Sequence, residues 1–299
     1  DLDILEGSPL GFWRRLSRLS LPSKGRTYPD FKSLVRQASA ELRGKTSDTG
    51  IKEVRRRGQG LEFHSLRDYV PGDQIRSIDW RATARKGKPV VREYRDEEDQ
   101  RILFVLDSGY RLHPKEGELR LFDRALNAAM FMTRVALKHG DSVAVQCFGN
   151  GDRGTPFRKG LGALNVILNT LHDQKSAPVP SSPAHALEEA SRKLKRRTFI
   201  ILVSRLREED AASILPLLPR LSRQHLLLCV NIADLQQGLL EASTATDDET
   251  LLAQAAAFKD RKEREAMYRR FERAGLMVLE VPSASLAPAM TARYLELKG

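Results

Sequence analysis

The pattern of apolar and polar positions changes character near residue 100. From there on, short continuous apolar runs alternate with stretches of helical spacing. The runs are 102–106, Ser142–Phe148, 199–203, Leu226–Ile232 and Leu276–Val281. Runs of this length, bounded by polar residues, predict strands buried on both faces of a parallel sheet. Between them, residues 119–139 carry Leu121, Phe122, Ala125, Leu126, Ala129, Met132, Val135 and Ala136 at helical spacing, and Gly140 supplies a stop. Further helices are predicted over 163–172, from a Ser182 cap and Pro183 through 195, over 208–222 with interruptions at Pro216 and Pro219, over 247–274 and over 285–297. Strands alternating with helices predict an α/β domain, a parallel-rich sheet with helices on both faces. The predicted domain covers 99–299.

The first 98 residues read differently, as an extension and signature segment packed on that domain. No helical or strand period persists over 1–29, which reads as an extended segment. Phe31, Leu34, Val35, Ala38 and Leu42 predict a helix over 29–44, and 45–60 is a polar loop. Val70-Pro71-Gly72-Asp73 is a turn sequence. Asp79 is placed to cap a short helix over Trp80–Lys86, which Gly87-Lys88-Pro89 ends, and 90–94 has strand composition. Trp80 is expected to anchor this charged block to the sheet, so that Trp80→Ala would cost about 3–5 kcal/mol.

Composition narrows the class. Hydrophobic residues are 41% and charged residues 30%, a globular balance, and no apolar run approaches the roughly 18 residues that span a membrane. The chain starts at Asp1 rather than Met and so reads as a piece of a longer product. Cys147 and Cys229 lie in apolar runs without metal-ligand spacing and are expected to be reduced core residues. The net charge of +11 fits nucleic acid, an anionic membrane leaflet or a solvated basic surface. Its basic clusters are not interleaved with aromatics, so no nucleic acid is expected. Phe12, Trp13, Arg14 and Arg15 suit a membrane interface or a Trp packed on the domain.

No phosphate-binding GxxxxGK[ST] loop, HExxH or GxSxG sequence is present, and the histidines at 64, 113, 139, 172, 185 and 225 are scattered. The titratable groups Glu62, His64, Asp68, Asp73 and Asp79 could form a site, or could pair with Arg67, Arg76, Arg81, Arg85 and Arg92 in a charged scaffold. The loop after the run 102–106, Asp107-Ser108-Gly109, lies where an open α/β sheet places its ligand.

The blocks Glu62-Phe63-His64, Leu66-Arg67-Asp68-Tyr69, Pro71-Gly72-Asp73, Ile78-Asp79-Trp80-Arg81-Ala82-Thr83-Ala84-Arg85 and Arg92-Glu93-Tyr94 resemble the signature of a bacterial family called domain of unknown function 58. The resemblance implies a von Willebrand factor type A-like domain after the signature. It also implies a full-length protein with two membrane-spanning helices and a β-rich segment, placing this part on the cytoplasmic face of the inner membrane. It further implies work alongside a MoxR-type AAA+ ATPase in chaperone-like maturation at the cell envelope. Type A domains hold a divalent metal through Asp-x-Ser-x-Ser, a later hydroxyl and a distal Asp. The matching positions here are Asp107, Gly109 and Arg111, then Ser181 or Ser182, then Arg205. A hard cation wants several oxygen ligands, and this set lacks them, so neither metal nor cofactor is expected. Arg111 or Arg205 is expected to pair with Asp107, and restoring Gly109→Ser, Arg111→Ser and Arg205→Asp to create metal binding. The expected function is a non-enzymatic protein-binding scaffold. A hydrolase with its site in 62–79 and a basic nucleic-acid binder remain open.

Overall fold

The computed structural model describes residues 2–7, 9, 11–12, 14–19, 61–70, 78–96, 100–242 and 247–298. The expected helix over 29–44, the loop over 45–60 and the turn residues Pro71, Gly72 and Asp73 lie outside them. Within 1–19 the chain forms an antiparallel hairpin, β1 (Leu2–Gly7) against β2 (Arg14–Leu19), where only an extended segment was expected. Its apolar residues are too few to set up an alternation. β3 (Leu61–Asp68) pairs antiparallel with β4 (Val90–Asp96). Between them α1 spans Trp80–Lys86 as predicted. The Asp79 carboxylate accepts from the N–H groups of Arg81 and Ala82, and Gly87 closes the helix at φ 66, a left-handed cap that suits glycine.

The main domain is the expected α/β unit. β5 (Arg101–Asp107), β8 (Ser142–Phe148), β9 (Phe199–Ser204), β10 (Leu226–Ile232) and β11 (Leu276–Val281) form one parallel sheet. Its spatial order is β11-β10-β9-β5-β8. The chain steps from β5 to β8 on one side, then returns to build β9, β10 and β11 on the other. The switch point therefore lies between the carboxyl ends of β5 and β9, at Asp107 and Ser204. A small hairpin of β6 (Lys115–Glu116) and β7 (Leu119–Arg120) precedes the first long helix.

Alternate residues of each strand serve opposite layers. Ile102, Phe104, Leu106, Val143, Val145 and Cys147 meet α2 (Leu121–Lys138), α3 (Gly162–Leu171) and α9 (Leu286–Lys298). Leu103, Val105, Ile200, Leu202 and Cys229 meet α4 (Pro183–Lys193), α5 (Glu208–Ile214), α6 (Leu218–Gln224) and α8 (Asp248–Arg273). The predicted helix over 208–222 is two helices joined by a 3₁₀ turn at Leu215–Leu217. Pro216 and Pro219 each sit in the first turn of a new segment, where no N–H is needed. α7 (Leu235–Ala242) was not expected from the sequence.

Both cysteines are buried and unpaired, and burial pushes the Cys147 thiol up to about 12 and the Cys229 thiol higher still. The C-terminal helix α9 is tied down by polar contacts as well as packing. Asp141 is fully buried and accepts hydrogen bonds from the Tyr294 hydroxyl at 2.5 Å, Lys298 Nζ at 2.6 Å and the Gln100 N–H at 3.0 Å.

His225 is buried just before β10, and neither ring nitrogen has a hydrogen-bond partner among the described residues. Burial lowers its pKa from 6.5, because the charged ring is poorly solvated there. The unfolded chain then takes up a proton that the folded chain refuses. The stability associated with this group is complete above pH 6.5 and falls as pH drops below it. Chemical denaturation at pH 7.5 and 5.5 should show a loss of about 1 kcal/mol that is absent in His225→Leu. Equal pH dependence in the two proteins would mean the ring is solvated.

Candidate functional site

Asp107 ends β5 at the switch point, wholly buried. Its Oδ2 accepts from Ser204 Oγ at 2.7 Å and its Oδ1 from the Gly109 N–H at 2.9 Å. Burial raises its carboxyl pKa, and the Ser204 hydroxyl, the Gly109 N–H and the Arg111 charge oppose that rise. Arg111 enters from the turn after β5 with 7% of its surface exposed. It makes a two-pronged pair with Asp210, Nη1 to Oδ2 at 2.6 Å and Nη2 to Oδ1 at 2.7 Å. Its Nη1 also donates to the Arg205 carbonyl at 3.2 Å, and its Nε lies 3.9 Å from Asp107 Oδ2. Asp210 is itself buried in the first turn of α5, where its carboxylate accepts the Arg207 N–H at 2.8 Å. One guanidinium thus stands between two buried carboxylates.

The loops above this cluster are bolted to one another. Ser108 Oγ donates to the Phe148 carbonyl at 2.7 Å and accepts the Asn150 N–H at 3.0 Å. The Tyr110 N–H donates to the Val179 carbonyl and the Ala177 N–H to the Ser108 carbonyl. Gly109 has an extended backbone, so its conformation does not demand glycine. Space does: a Cβ there would lie 2.6 Å from Ser181 Cβ and 2.9 Å from the Val179 carbonyl oxygen. A side chain at this position would have to displace Ser181 or the Val179 backbone.

The sequence-based expectations divide accordingly. Of the expected pairings with Asp107, Arg111 makes only the 3.9 Å approach and commits its two terminal nitrogens to Asp210. Arg205 turns away to Asp234 at 3.4 Å and to the Ile232 and Ala233 carbonyls. Ser181 is the hydroxyl that crowds the Gly109 loop, whereas Ser182 caps α4 by accepting the His185 N–H at 3.3 Å. The restoring change Gly109→Ser is sterically blocked, which corrects the expectation that it would help to create a metal site. Ser204 and Asp210 were missed. Asp210 is distant in sequence and resembles an ordinary helix-start acid, so nothing in its spacing marks it. Ser204 directly precedes Arg205 at the end of an apolar run, a place that could have pointed to it. Among the described residues no group of three or more His, Cys, Asp or Glu is placed to hold a metal ion.

In the signature block, Trp80 is 68% exposed, which overturns its role as a buried anchor. α1 buries none of its residues and faces β4 through partly covered Ala82 and Thr83, so Trp80 projects outward. Arg81 and Arg85 are exposed, and Glu62 and Asp73, the acids expected near them, lie outside the residues whose side chains are described. Asp79 serves as the helix cap, Asp68 is exposed, and the Tyr69 N–H donates to the Pro89 carbonyl. The side chains of Glu62, His64, Arg67, Arg92 and Glu93 and the whole of Gly72, Asp73 and Arg76 lie outside the described residues.

A cavity of about 370 Å³ opens at the carboxyl ends of β9, β10 and β11. Arg205 pairs with Asp234 and Arg264 with Glu280 at 2.9 Å, and with Glu208, Glu209, Asp260 and Glu263 beside Arg207 the lining is acidic on balance.

The model of the family described as "Protein of unknown function DUF58" matches residues 65–275. Two similar proteins are the uncharacterized proteins Rv1480 of Mycobacterium tuberculosis and Mb1516 of Mycobacterium bovis. Each is 28% identical over 151 residues, 49% of this chain and 47% of the relative. The chain therefore spans about half the length of the curated relatives it matches. Similar solved structures include BatB from Bacteroides thetaiotaomicron, with TM-score 0.42 and 10% identity over 67% of this chain and 98% of that one. A von Willebrand factor type A protein from Catenulispora acidiphila gives TM-score 0.40 and 13% identity over 67% of this chain and 42% of that one. Likeness at this level carries no functional assignment.

Proposed function

The chain belongs to the DUF58 family, and on that premise we propose that it is a non-enzymatic scaffold that binds a protein partner. The observation that carries this reading is the exposed Trp80, set on a short helix beside exposed Arg81, Arg85, Lys86 and Lys88. Tryptophan and arginine contribute disproportionately to protein interfaces, and an exposed tryptophan has no structural work to do where it stands. The cations suit an acidic surface on the partner. The tight packing of the Gly109 loop against Ser181 and Val179 beside Asp107 supports a scaffold over an enzyme at that point of the sheet.

The family resemblance supplies the finer reading. The partner is a MoxR-type AAA+ ATPase, and the pair acts in chaperone-like maturation at the cell envelope, with this chain on the cytoplasmic face of the inner membrane. Membrane anchoring is assigned to sequence other than the described helices, none of which is long and apolar enough to cross a membrane.

Immobilised protein should retain an AAA+ ATPase from a bacterial lysate. Trp80→Ala should weaken that retention about tenfold or more while changing stability by less than about 0.5 kcal/mol, as for other surface changes. Full retention by Trp80→Ala would move the interface elsewhere. Retention of nucleic acid instead, lost steeply as salt rises, would favour the nucleic-acid binder.

A further inference from the structure

We propose that α8 pairs with the same helix of a second copy of this chain, antiparallel, about a two-fold axis at Ala255. The N-terminal half of α8 rests on the domain along one side only. There Ala257 is buried, its carbonyl accepts from Gln237 Nε2 at 2.9 Å, and Gln254 Nε2 donates to the Leu240 carbonyl at 3.2 Å. The opposite side carries Leu251, Leu252 and Phe258, exposed by 55%, 73% and 47%. With about 3.6 residues per turn, Asp248, Leu251, Leu252, Ala255, Phe258, Lys259 and Lys262 fall within about a third of the circumference. They form an apolar stripe with an acid at one end and two bases toward the other, and every one of them is exposed.

That order of charges selects the occupant. Turning a second copy about an axis at Ala255 sets Leu252 against Phe258 of the second copy, and Asp248 against its Lys262. A small residue at the crossing lets the two helices approach to the usual 8–10 Å. A two-fold contact must be self-complementary, and the Leu252–Phe258 and Asp248–Lys262 pairs are, while Lys259, opposite Leu251, is drawn aside toward Glu263 at 3.8 Å. A parallel pairing would set Asp248 against Asp248 and Lys262 against Lys262. An anionic membrane lying along the stripe would meet the Asp248 carboxylate. Phe258 is held in place by Arg261 and Lys262, whose cationic groups each lie 5.1 Å from its ring centroid. The inference is independent of the Trp80 interface, which lies on another element.

Sedimentation equilibrium of the 299-residue chain across a concentration series tests it. The mass should rise with concentration from 33.7 kDa toward twice that value. Phe258→Glu should hold the protein at the monomer mass. Asp248→Lys removes both symmetry-related ion pairs and should weaken dimerisation about fivefold, the size of two exposed pairs at about 0.5 kcal/mol each, and adding Lys262→Asp should restore it. Ala255→Cys should give a disulfide-linked dimer on oxidation, because the native Cys147 and Cys229 are buried and do not compete. A protein that stays monomeric at every concentration, with Ala255→Cys failing to cross-link, overturns the proposal. So does a dimer that Phe258→Glu leaves intact.

Discussion

Replacing Arg111 by leucine should lower the stability of the fold by about 3–5 kcal/mol, the cost of leaving a buried charge without its partner. Asp210 would keep only its helix-start contact with the Arg207 N–H, and Asp107 would lose the one cationic group beside it. The double change Arg111→Leu with Asp210→Leu should recover most of the loss, because a well-packed apolar pair replaces a buried ion pair at little net cost. Urea denaturation of the parent, the two single variants and the double variant measures this coupling. Additive losses in the double variant would show that the two side chains act independently, against the geometry of two hydrogen bonds at 2.6 and 2.7 Å.

Tyr294→Ala should cost about 3–5 kcal/mol, the range for removing a large buried aromatic. Tyr294 is fully buried where α9 meets α2, and its hydroxyl is one of the groups that satisfy the buried Asp141 carboxylate. Tyr294→Phe keeps the ring and should cost about 1–3 kcal/mol, the penalty for removing one partner of a buried acceptor. Burial, with Asp141 adding to it, raises the phenol pKa above its ordinary 10.0. The folded chain therefore holds this proton more tightly than the unfolded one. Stability from Tyr294 is complete below pH 10 and falls as pH climbs above it. A Tyr294→Phe protein that loses stability above pH 10 as steeply as the parent would contradict the assignment.

The parallel sheet was legible because its strands are buried on both faces. Such strands read as unbroken apolar runs, and the predicted run Leu226–Ile232 is β10 to the residue. α1 was legible for another reason: Asp79 and Gly87 are local signals that need no tertiary partner. The candidate site was half legible. A chain pattern locates Asp107 at the end of a strand, but Asp210 reaches Arg111 across 99 residues of sequence, and no local rule forecasts that. The reading of Gly109 as a lost hydroxyl ligand missed the steric reason for glycine, the approach of Ser181 from a separate loop. Trp80 failed in the opposite direction. Burial was inferred from residue type, yet α1 turns that side chain away from β4, and aromatic character alone does not say which way a helix faces.

Arg111 stands between Asp107 and Asp210 at the switch point of the sheet, beneath a Gly109 loop packed on Ser181. A divalent cation there would meet a permanent guanidinium charge at close range, a repulsion on the order of several kcal/mol in a partly dry loop. Calorimetric titration with magnesium and manganese tests this most directly. No heat of specific binding is expected; millimolar or tighter affinity that disappears in Asp107→Ala would mean that a cation does sit beside Arg111.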